Sequence, residues 1–81
     1  MSTPCVLFVD DEEGLLELYT SAFSREGYRV RTAASLDAAR AALAGEGVDL
    51  VVMDIRLTAG SGLALLREIK AATPRLPVVL S

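Results

Sequence analysis

Two continuous apolar runs, Cys5-Val6-Leu7-Phe8-Val9 and Leu50-Val51-Val52-Met53, constrain this chain more than any other feature. Runs of this texture read as strands buried on both faces, and such strands belong to parallel sheets with helices covering both sides. Each run is closed by aspartate, Asp10-Asp11 after the first and Asp54 after the second.

The segments between them supply the rest of the pattern. From Glu12 to Arg25, Leu15, Tyr19 and Ala22, with Leu16 and Phe23, recur at helical spacing, and Gly27 ends the helix. Tyr28–Ala33 alternates, with Tyr28, Val30 and Thr32 on one face and Arg29 and Arg31 on the other, which predicts a half-exposed strand. Ser35 is placed to N-cap a helix carrying Leu36, Ala39 and Leu43, stopped at Gly45 or Gly47. A loop of small residues, Thr58-Ala59-Gly60-Ser61-Gly62, precedes a third helix with Leu63, Leu66 and Ile69 on one face and Leu65 beside them, ending before Pro74. Pro77–Ser81 starts a fourth strand. Leu15, Tyr19, Phe23, Leu63, Leu66 and Ile69 are expected in the core, and Cys5 is expected to be a small buried filler, not a reactive thiol.

The order βαβαβαβ predicts an α/β fold: a flavodoxin-like, doubly wound parallel sheet. The alternating second strand belongs at an edge and the two apolar strands in the centre, which gives the strand order 2-1-3-4. Right-handed crossovers then place the first helix on one face and the second and third on the other. The fourth strand looks apolar on both sides. With only one helix on one face, this leads to the expectation that the sheet lacks a strand and at least one helix.

Composition narrows the function classes. The 81 residues make one domain, and a net charge of -3 disfavours binding to nucleic acid or an anionic membrane. One cysteine and no histidine exclude an internal disulfide, histidine metal ligands and histidine general-base chemistry, and fit the cytoplasm. The apolar runs fall far short of the roughly 20 residues that span a bilayer, and Met1-Ser2-Thr3-Pro4 lacks the basic start of a signal peptide.

Asp10, Asp11 and Asp54 carry the chemistry. In the inferred order their strands are neighbours, roughly 5 Å apart, and the aspartates meet at the switch point, where open α/β sheets bind ligands. Three carboxylates in one place repel one another, so at least one pKa is expected to rise. A hard divalent cation relieves the repulsion, and an oxygen-only donor set favours Mg²⁺. Acids ahead of a helix also stabilise its dipole, and Glu12 and Glu13 are expected to be solvated charges of that kind. The Gly60-Ser61-Gly62 stretch lacks the full pattern of either common phosphate-binding glycine loop.

These residues resemble a known family. Val6-Leu7-Phe8-Val9-Asp10-Asp11-Glu12-Glu13 is similar to the start of a response-regulator receiver domain. Asp49-Leu50-Val51-Val52-Met53-Asp54-Ile55-Arg56-Leu57, followed by Ser61-Gly62-Leu63, resembles its phosphoacceptor strand and loop, and Pro77-Val78-Val79-Leu80-Ser81 its fourth strand. The resemblance implies that Asp54 takes a phosphoryl group from a sensor histidine kinase or phosphotransfer protein. It implies Mg²⁺ held by Asp10, Asp11, Asp54 and the backbone carbonyl of Arg56, and a phosphoryl contact from the Ser81 hydroxyl. The receiver is not itself counted as an enzyme. Two positions depart from the family pattern. Thr58 stands where proline is usual, and the family's lysine at the end of a fifth strand has no counterpart, since the only lysine is Lys70 on the third helix. Residues 1–81 are therefore expected to be the N-terminal portion of a receiver domain from a longer regulator, with slow or undetectable phosphorylation in this form.

A different class is also open. A receiver-like interaction module that never meets phosphate would use the uncovered fourth strand for self-association or a segment swap. A small metal-dependent phosphatase fits poorly, because Asp10 and Asp11 are adjacent instead of spaced and no separate general acid is visible.

Overall fold

The computed structural model describes residues 3–45, 47–54, 56–57 and 62–81. The elements run β1 (Cys5–Val9), α1 (Glu13–Arg25), β2 (Arg29–Ala33), α2 (Leu36–Ala44), β3 (Leu50–Met53), α3 (Gly62–Ala72) and β4 (Val78–Leu80). The four strands are parallel in the order β2-β1-β3-β4, as the strand textures predict. Thr58, Ala59, Gly60 and Ser61 of the expected small-residue loop lie outside the described residues.

Strand alternation divides the interior into two layers. Leu7, Val9, Val51 and Met53 point to one face and meet Ala39 of α2 with Leu65 and Ile69 of α3. Val6 and Phe8 point to the other face and meet Leu16 of α1, with Tyr19, Phe23, Val30, Leu50 and Val52 packed around them. One helix against two is the distribution that right-handed crossovers require. Every residue of β1 is buried, which accounts for its unbroken apolar run, and Cys5 is a buried free thiol within it. An Arg40–Glu68 ion pair at 3.0 Å ties α2 to α3 on the outside.

Four expectations about single residues change. On α3 the buried stripe is Gly62, Leu65 and Ile69, while Leu63 is 45% exposed and Leu66 only half-buried. The helix begins at Gly62, and positions three and four residues on share its face, so Leu63 turns outward and Leu65 takes the core place. On α1 Leu16 is the fully buried leucine and Leu15 only half-buried. Tyr28 precedes β2 instead of starting it, because it closes the end of α1.

That helix end is a Schellman stop. The Tyr28 N–H donates to the Phe23 carbonyl and the Gly27 N–H to the Ser24 carbonyl, both at 3.1 Å. The Phe23 and Tyr28 rings lie 5.7 Å apart, the apolar contact that accompanies this motif. Gly27 has φ +91°, and a Cβ built there meets nothing within 4 Å. The requirement for glycine is thus conformational alone. Gly27→Ala is expected to destabilise the fold by about 1 kcal/mol, the usual cost of a left-handed alanine, lowering the thermal midpoint by roughly 4–8 °C in a domain of this size. Calorimetry showing an unchanged midpoint would mean that this stop contributes nothing.

Ser35 caps α2 as expected, its hydroxyl accepting from the Ala38 N–H at 3.1 Å. At the other end of α2, Nη1 of Arg31 donates to the Ala42 carbonyl at 3.3 Å. An arginine on the exposed face of β2 thus supplies a donor and a positive charge where the helix dipole is negative.

Candidate metal centre

β1 and β3 pair in parallel with Val9 opposite Met53, so Asp10 and Asp54 leave the sheet side by side at its carboxyl edge. The main chain continues the ladder one step: the Asp10 N–H donates to the Ala33 carbonyl at 3.1 Å and the Asp54 N–H to the Val9 carbonyl at 2.9 Å. Both residues are only 5% exposed. Asp11 is exposed, and the three carboxylates offer oxygens that all lie within 4.8 Å of one another. The predicted convergence at the switch point is therefore present.

Two short turns aim the buried carboxylates. Oδ1 of Asp10 accepts from the Glu12 N–H at 2.9 Å, where the chain enters α1. Oδ1 of Asp54 accepts from the Arg56 N–H at the same distance. Each aspartate is thus held by the backbone two residues ahead, the local bond that aspartate favours. Ser81 lies one step past the Met53–Leu80 pair, its N–H donating to the Met53 carbonyl at 2.9 Å, so it reaches the same edge beside Asp54.

The arginine side chain at position 56 is the feature that sequence reasoning missed. Only its backbone carbonyl was expected to matter. The guanidinium instead folds back onto Asp54, with Nε 3.3 Å from Oδ1 and 3.1 Å from Oδ2, and Nη2 2.9 Å from Oδ2. The same Nη2 donates to Oε1 of Glu12 at 3.2 Å. Glu12 is therefore an ion-paired group on the rim of the site, not a solvated charge alone. The available signal was the spacing: a turn that brings the amide of residue 56 back to Asp54 also brings back a long cationic side chain.

This cation reverses the expected electrostatics at Asp54. Hydrogen bonds from the Arg56 side chain, then from its backbone N–H, hold the Asp54 carboxyl below its ordinary 3.8, outweighing the opposing effect of burial. Asp54 and then Glu12 in turn hold the guanidinium charged, above its ordinary value. The expectation of a raised pKa is thus not met at Asp54, because it counted three anions and omitted the adjacent cation.

The residues fit a hard divalent cation. The donors are carboxylate oxygens throughout, two from buried residues and one from an exposed residue open to entry.

A doubly wound α/β sheet with an oxygen-donor acidic cluster at its switch point defines a flavodoxin-like domain with a candidate cation site. The description "Response regulator receiver domain" matches residues 6–81, and the chain belongs to that family. It is 40% identical over 75 residues to the transcriptional regulatory protein GlrR of Escherichia coli K12, covering 93% of this chain and 17% of that protein. Among solved structures, NtrX from Brucella abortus is 43% identical with a TM-score of 0.86, covering 98% of this chain and 17% of that one. The response regulator TrrA from Thermotoga maritima, solved in complex with Mg²⁺-BeF, is 31% identical with a TM-score of 0.85, covering 96% of this chain and 68% of that one. The chain thus spans about a sixth of the length of GlrR and NtrX.

Proposed function

We propose that this chain is the phosphoacceptor portion of a two-component receiver domain, with Asp54 accepting a phosphoryl group from a sensor histidine kinase or phosphotransfer protein in the cytoplasm. Residues 1–81 are read as the N-terminal portion of that domain, in keeping with the 68% of TrrA that the chain covers. The observation that carries the reading is the buried Asp54 carboxylate, held anionic and grouped with Asp10 and Asp11 at the switch point.

An anionic carboxylate is a competent nucleophile for covalent phosphoryl transfer. An oxygen of Asp54, once the Arg56 guanidinium has released it, forms the new P–O bond as the P–N bond of the phosphohistidine breaks, and the departing imidazole nitrogen keeps the electron pair and takes a proton from solvent. The acceptor side needs no histidine of its own. Asp10, Asp11, Asp54 and the backbone carbonyl of Arg56 would hold Mg²⁺, which supplies neutralisation of the phosphoryl charge. The Ser81 hydroxyl, at the same sheet edge, would contact the phosphoryl oxygens.

The test is incubation with phosphoramidate and Mg²⁺, followed by mass spectrometry of the intact chain and its peptides. The expected result is slow, Mg²⁺-dependent gain of one phosphoryl group on Asp54. Labelling on another residue, or labelling that does not depend on Mg²⁺, overturns the reading.

A further inference from the structure

We propose that the Arg56 side chain is an internal counter-cation that competes with the divalent metal for Asp54 and so sets the metal affinity of the site. The inference rests on the proposed metal role of Asp54. Three observations support it. The guanidinium engages both oxygens of Asp54, Nε on each and Nη2 on Oδ2, so the carboxylate is covered on both lone-pair edges. Glu12 accepts from the same Nη2 at 3.2 Å, which gives the guanidinium a second anionic partner on the rim. The side chain itself is 66% exposed whereas that of Asp54 is 6% exposed, so Arg56 can swing into solvent and Asp54 cannot follow it. Among the described residues, Arg56 is the one cation paired with the acidic cluster.

A guanidinium has five N–H donors and no lone pair for a metal. It therefore cannot share an Asp54 oxygen's inner contact with a cation of like charge beside it, and one must yield. Glu12 offers the displaced guanidinium a second anchor on the rim. The arrangement is a two-position switch, with Arg56 on Asp54 and Glu12 together, or on Glu12 alone once Asp54 is claimed. Affinity for the incoming cation is then reduced by the fraction of time that Asp54 is free.

The experiment is isothermal titration of Mg²⁺ alone into the wild type, Arg56→Met, Arg56→Lys and Asp54→Asn. Methionine keeps an unbranched stem and the backbone carbonyl but removes the fork and the charge. If Asp54 is free about one-tenth of the time in the wild type, Arg56→Met binds Mg²⁺ on the order of tenfold more tightly. Arg56→Lys keeps the charge without the two-toothed grip and is expected to lie nearer Arg56→Met than the wild type. A lysine variant indistinguishable from the wild type would reduce the effect to net charge and overturn the competition. In the wild type, the NMR signal of Arg56 Nε–H should shift and exchange faster with water as Mg²⁺ is added; a signal unmoved at saturation also overturns it. Asp54→Asn separates the two levels. If it binds Mg²⁺ as the wild type does, the metal reading itself fails. If it loses binding while Arg56→Met equals the wild type, only the competition fails.

Discussion

Asp54→Asn is expected to abolish phosphoryl uptake from phosphoramidate while leaving the chain folded. The substitution is nearly isosteric, and an amide oxygen can still accept the Arg56 N–H that now donates to Oδ1 at 2.9 Å. What it removes is the negative charge. An amide is not a nucleophile at this step, so labelling should fall to background and not merely slow. The loss of the Arg56 ion pair is offset by relief of repulsion among Asp10, Asp11 and position 54, whose oxygens lie within 4.8 Å. Circular dichroism is therefore expected to show a native spectrum, and Mg²⁺ binding is expected to weaken strongly. Wild-type labelling in this variant would place the acceptor elsewhere, and an unchanged Mg²⁺ response would remove Asp54 from the metal site.

The largest stability effect is expected at Phe8. The ring is 2% exposed and forms the centre of the α1-side layer. It stacks on Tyr19 at 4.7 Å and meets Phe23 edge-on at 5.0 Å. Phe8→Ala removes that ring from between a central strand and the one helix packed on this face. Such truncations cost about 3–5 kcal/mol, against a total of roughly 4–12 kcal/mol for a chain of this length. The thermal midpoint should fall by roughly 15 °C or more. The comparison is Leu18→Ala on the same helix, where a leucine 61% exposed should shift stability by no more than about 0.5 kcal/mol. Equal midpoints for the two variants in a calorimetric scan would mean that the α1 layer does not hold the fold together.

Much of this molecule is legible in its sequence. Cys5–Val9 and Leu50–Met53 are unbroken apolar because they are the central strands, and that texture alone placed them between the alternating β2 and the later β4. The capping of α2 by Ser35 and the stop at Gly27 were readable for a similar reason, since both depend on bonds within a few residues. The acidic cluster followed from the strand order, because aspartates that end two neighbouring parallel strands must meet. Reading went astray at Leu63, where one residue of uncertainty in the start of α3 rotates the buried stripe by about 100°.

The sequence by itself determined the strand order, the division of helices between faces and the meeting of Asp10, Asp11 and Asp54. These follow from local periodicity and from the handedness of short connections, which leave little freedom. Only the tertiary structure decided what neutralises the cluster. Arg56 has a long flexible stem, and its course depends on the positions of Asp54 on β3 and Glu12 before α1, groups 42 residues apart in the chain that the fold brings within reach of one guanidinium. A count of formal charges could not supply that geometry, and so it predicted a raised pKa somewhere in the cluster, whereas the folded chain lowers that of Asp54.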